Sequence, residues 1–97
     1  MVKRIIWSEK AVAVFNSILE FYYQRNGTKT YCSALTKEIK ETINLFKKFP
    51  GIGRKTAITN VRVLIKGDMK IFYQITQNEI IILMIWDCRQ DPATFPL

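Results

Sequence analysis

The spacing of apolar positions changes once along this chain and divides it into a helical half and a strand half. Val2, Ile5, Ile6 and Trp7 form a short apolar run with Lys3 and Arg4 inside it, read as a strand over 2–7. Ser8 follows as a candidate N-cap, with Glu9 in the first turn, where a helix favours negative charge. Ala11, Val14, Phe15, Ile18, Leu19 and Tyr22 recur at helical spacing and predict a helix over 9–25, stopped by Gly27. Ser33 offers a cap for a second helix. Its apolar face is Leu35, Ile39, Thr42, Ile43 and Phe46, with Lys37, Glu38, Lys40, Glu41, Lys47 and Lys48 on the other faces. Pro50 and Gly51 end it.

Beyond residue 57 the period becomes that of a strand. Over 59–66, Val61, Val63 and Ile65 point one way and Asn60, Arg62, Leu64 and Lys66 the other. Gly67-Asp68 makes a turn. A strand over 69–76 then sets Ile71, Tyr73 and Ile75 on one face and Lys70, Phe72 and Gln74 on the other. After a turn at Gln77-Asn78, residues 79–87 are apolar on both faces, as in a central strand covered on both sides. The tail from Cys88, with Pro92 and Pro96, reads as irregular. The order strand, helix, helix, three-stranded meander predicts an α+β domain over 1–97. Its antiparallel sheet carries the helical hairpin on one face and the first strand at an edge. A chain of 97 residues is long enough for one core without disulfide or metal.

Composition narrows the chemistry. The longest apolar run, Ile80 to Trp86, is far short of the ~18 residues that span a bilayer, and the N-terminus has no secretory apolar segment. A cytoplasmic location is therefore expected. Histidine is absent, which removes imidazole acid–base catalysis, the His-containing triads and Cys₂His₂ zinc sites. Cys32 and Cys88 stand far apart with no CxxC, so two reduced thiols and no metal or cofactor are expected. The net charge is +7, and residues 37–70 hold +6 of it. Such a patch fits a polyanion, an acidic protein partner, or a surface kept soluble by like charge.

The stretch Val61-Arg62-Val63-Leu64-Ile65-Lys66-Gly67-Asp68-Met69-Lys70-Ile71-Phe72-Tyr73-Gln74-Ile75 resembles the central part of the RelE/ParE superfamily of bacterial toxins. Ile85-Trp86-Asp87-Cys88-Arg89-Gln90-Asp91-Pro92 is similar to its closing motif, and Phe49-Pro50-Gly51-Ile52-Gly53-Arg54 to its connector before the second strand. The resemblance implies a β-α-α-β-β-β toxin of a type II toxin–antitoxin pair, blocked by a small cognate antitoxin. It implies first a metal-independent, ribosome-dependent mRNA endonuclease of the RelE kind, with ribosome and mRNA as partners. The alternative is a non-catalytic, ParE-like inhibitor of DNA gyrase, and a non-toxic basic binding module ranks below both.

Site residues follow from the same resemblance. Lys70 stands where RelE-like toxins place an arginine, Arg89 where they place another, and Arg62 where nuclease members carry lysines. These three are the catalytic candidates, since cations aimed at the phosphate stabilise the charge that develops in RNA cleavage. Lys37, Lys40, Lys47, Lys48, Arg54 and Lys55 would hold RNA phosphates, and Phe95 would stack on a base. Phe95 stands about where the RelE tyrosine is expected, and it has no proton to transfer. Tyr73 reads as a core residue of the sheet.

Overall fold

Residues 3–88 are described by the structure, a computed structural model. Their elements are β1 (Arg4–Trp7), α1 (Glu9–Asn26), α2 (Thr30–Lys48), a 3₁₀ turn at Pro50–Ile52, β2 (Arg54–Lys55), β3 (Val61–Lys66), β4 (Met69–Ile75) and β5 (Glu79–Asp87). The strands form one sheet in the order β1-β5-β4-β3-β2. The helical hairpin and the three-stranded meander stand as the sequence pattern predicts.

The sheet is mixed where a wholly antiparallel one was expected, because β1 pairs parallel with β5. The reason is β2, a two-residue strand that the pattern does not announce. It pairs antiparallel with β3 and adds one reversal of the chain before the meander. That extra reversal leaves β5 running with β1, at the edge where β1 was expected to pair.

Ser8 joins the helical half to the sheet. Its hydroxyl accepts the Ala11 N–H at 3.0 Å, capping α1, and donates to the Leu83 carbonyl at 3.0 Å. Its own N–H donates to the Ile82 carbonyl at 3.0 Å. Both carbonyls lie at a register slip in which Phe72 faces Met84 while Tyr73 faces Ile82, leaving Leu83 as the extra residue of a bulge. At the other end of α1, Gly27 takes φ 71° and donates its N–H to the Tyr23 carbonyl.

The second helix starts at Thr30, ahead of the expected cap. Lys29 is the N-cap and makes no side-chain hydrogen bond, while Ser33 lies inside the first turn with its N–H on the Lys29 carbonyl. Packing accounts for the early start. Tyr31 sits edge-on to Tyr22 at 4.8 Å, and Cys32 donates to the Leu19 carbonyl, so both residues are fixed against α1.

The core lies between the hairpin and the sheet. Phe15, Ile18 and Tyr22 of α1 and Leu35, Ile39, Ile43 and Phe46 of α2 pack on Met69, Ile71 and Tyr73 of β4 and Ile80, Ile82 and Ile85 of β5. Trp7 joins this core against Phe15, whereas Trp86 pairs with Lys70 on the opposite face. That opposite face also buries Val61, Phe72 and Met84. No helix among the described residues is long and apolar enough to cross a membrane.

Candidate functional site

One buried side chain organises the connector between α2 and β2. Tyr73 is wholly buried and stacks on Phe46 with ring centroids 4.0 Å apart. Its hydroxyl donates to the Pro50 carbonyl at 2.7 Å and accepts the Gly53 N–H at 2.9 Å. A Cβ at Gly53 would stand 2.7 Å from that hydroxyl and 2.9 Å from the Val63 carbonyl oxygen, so the close approach requires glycine. Arg62, the register partner of Tyr73, reaches the same turn. Its Nη1 donates to the Gly53 carbonyl at 2.7 Å and to the Gly51 carbonyl at 3.3 Å. Burial pushes the Tyr73 hydroxyl above its ordinary pKa of 10.0, against opposing pulls from the Gly53 amide and the Arg62 charge.

The clamp fixes where β2 and the following loop stand. Thr56 closes that loop by donating its hydroxyl to the Val61 carbonyl at 2.9 Å and accepting the Ile58 N–H at 3.2 Å. Asn60 completes it at φ 65°. Neither Tyr73 nor Gly53 stood out in the sequence as a site residue. The signal was the connector Pro50-Gly51-Ile52-Gly53, whose second glycine has a steric reason that only the fold displays.

The structure does not gather the candidate cations at one point. Arg62 shares the helix-covered face with Tyr73. Lys70 lies between Met69 and Ile71, which both point into the helix-side core, and so belongs to the opposite face. Arg89 and Phe95 lie outside the described residues. Lys37 and Lys40 border an open cleft of about 980 Å³ between α1 and α2, together with Leu19, Tyr23, Cys32 and Glu41. Lys47 and Lys48 occupy the last turn of α2, where positive charge favours the helix end. Arg54 and Lys55 are exposed neighbours on β2, opposite Val63 and Arg62 respectively, and therefore serve different faces. The basic residues are spread over the helical layer and both sides of the sheet edge.

A smaller cavity, about 400 Å³, opens on the face away from the helices and is lined by Arg54, Ile58, Val63, Ile65, Lys70 and Phe72 among others. No sequence signal marks Ile58, in the loop after β2, or Ile65, on β3, because an exposed isoleucine carries no mark of its own. Among the described residues, no group of three or more His, Cys, Asp or Glu side chains is placed to hold a metal ion.

An N-terminal strand, a helical hairpin and a sheet that ends in a meander fit the α+β fold of RelE/ParE superfamily toxins. Within that class the chain belongs to the ParE toxin family of type II toxin–antitoxin systems (parDE), whose sequence model it matches over residues 5–92. It is similar in structure to a chain of the chromosomal ParDE toxin–antitoxin system from P. aeruginosa, with TM-score 0.74 and 24% identity over 87% of this chain and 94% of that one. It is also similar to a conserved hypothetical protein from Helicobacter pylori, with TM-score 0.52 and 20% identity over 88% and 92% of the two chains. No curated protein sequence gives a significant match.

Proposed function

We propose that this toxin acts by binding and disabling DNA gyrase, as the ParE-like reading implies, and that a cognate antitoxin neutralises it. The observation that carries this reading is the placement of Arg62 and Lys70. A ribonuclease of the RelE kind needs cations converging on one phosphate. Here the two described candidates belong to opposite faces of the sheet, and the Arg62 guanidinium is engaged by two carbonyls of the connector. The absence of histidine and the match to the ParE family favour the same reading. Under it the exposed lysines of α2 attract acidic protein partners and hold no RNA.

Induction in bacterial cells, followed by reporter-plasmid topology and transcript 5′-end mapping, tests the proposal. Gyrase inhibition predicts growth arrest with relaxed plasmid and uncut transcripts. Transcripts cut within reading frames, with plasmid supercoiling unchanged, would establish the RelE-like activity instead. Normal growth at verified soluble expression would contradict both.

A further inference from the structure

The 400 Å³ cavity on the helix-free face has a composition that selects for a particular ligand. Val63 and Phe72 belong to its walls, and Ile58 and Ile65 stand at it 51% and 50% exposed. Arg54 and Lys70 supply positive charge, and no carboxylate is among the described lining residues. Its complement is a segment with an apolar tip and anionic flanks. Single-stranded nucleic acid fits less well, because it docks by stacking bases on aromatic faces. Phe72, the aromatic ring among the described lining residues, is only 4% exposed. The cavity has room for one large side chain with its flanking backbone. The Tyr73–Arg62 clamp holds Gly53 just ahead of β2, and Thr56 ties the loop that carries Ile58 to Val61, so the seat exists before the partner arrives and little ordering is required on binding.

We propose that this cavity receives an acidic segment of the toxin's protein target, with one apolar side chain between Ile58 and Ile65 and a carboxylate against Arg54. The inference rests on the gyrase-binding reading and gives it a site.

The test is inhibition of DNA gyrase supercoiling by the purified wild-type protein and by Arg54→Glu, Ile65→Glu and Lys10→Glu. Lys10 is exposed on α1, outside this cavity, and its reversal changes net charge as much as that of Arg54. Each variant's circular dichroism and melting curve is compared with the wild type, and Ile65→Ser replaces Ile65→Glu if the latter unfolds. The expected result is an inhibitory concentration raised about tenfold or more by both cavity substitutions, as at an interface anchor, and unchanged by Lys10→Glu. Unchanged inhibition by the folded cavity variants overturns the seat while leaving the gyrase reading intact. An equal loss with Lys10→Glu also overturns it, by assigning the effect to overall charge. A wild type that cleaves RNA and leaves gyrase untouched overturns both. RNA binding abolished by Arg54→Glu would assign the cavity to nucleic acid and likewise overturn the proposal.

Discussion

Arg62 and Tyr73 are register partners across β3 and β4, and the polar ends of both side chains close on the same Pro50–Gly53 turn. Between them they satisfy the Pro50, Gly51 and Gly53 carbonyls and the Gly53 amide at a place where the chain passes from helix to sheet edge. Backbone groups left without partners in such a place are costly, so a loop of this kind depends on the side chains that reach it.

Tyr73→Phe keeps the ring on Phe46 and removes the hydroxyl. The Gly53 amide and the Pro50 carbonyl then lose that partner, and unfolding free energy should fall by about 1–3 kcal/mol. Urea denaturation followed by tryptophan fluorescence measures it. An unchanged midpoint would mean that water replaces the hydroxyl without loss.

Gly53→Ala introduces a Cβ into contacts of 2.7 and 2.9 Å, one of them to backbone. The turn has to move away from Tyr73, at a cost of about 1–3 kcal/mol. In the Tyr73→Phe background the same substitution should cost less, since the nearer clash is gone. A double-mutant cycle in denaturant gives the difference, and strict additivity would contradict the proposed contact.

Tyr73 also sets an alkaline limit. Its folded pKa lies above the unfolded value of 10.0, so above pH 10 the unfolded chain releases the proton first. Stability from this group is intact below that pH and is lost as pH rises toward the folded pKa. Wild type should therefore lose stability faster than Tyr73→Phe in denaturation series run above pH 10. Parallel curves would show that burial of the phenol has no such effect.

Ser8→Ala removes a helix cap and the bond to Leu83 together. A loss of about 1–2 kcal/mol is expected, at the upper end for a cap because the sheet contact goes with it. Ser8→Gly should show how much belongs to the cap, since glycine at this position costs only a few tenths. Equal losses for the two variants would locate the cost in the hydroxyl's bonds.

What the sequence disclosed follows from the physics of each feature. Period-based elements were legible: the apolar stripe of Phe15, Ile18 and Tyr22, and the alternation around Tyr73, predict helix and strand because burial imposes those spacings. Gly27 as a stop was legible because a left-handed residue favours glycine. The start of α2 was not, since Tyr31 and Cys32 fix it by packing on a distant turn. The direction of β1 was hidden by β2, which is too short to show a period. Site geometry was the least accessible. Alternation assigned Lys70 and Arg62 to faces of their own strands, but only the pairing of Arg62 with Tyr73 shows that those faces are opposite. Arg62's hydrogen bonds go to carbonyl oxygens, which every residue carries, so no residue type marks them.

We propose that this member of the ParE family stops growth through gyrase and not through RNA cleavage. The most direct measurement sets the purified wild-type protein against gyrase with relaxed plasmid and, in parallel, against ribosomes programmed with a defined mRNA. Gyrase inhibition predicts dose-dependent loss of supercoiling and an intact message. A cleaved message with undiminished supercoiling would contradict it.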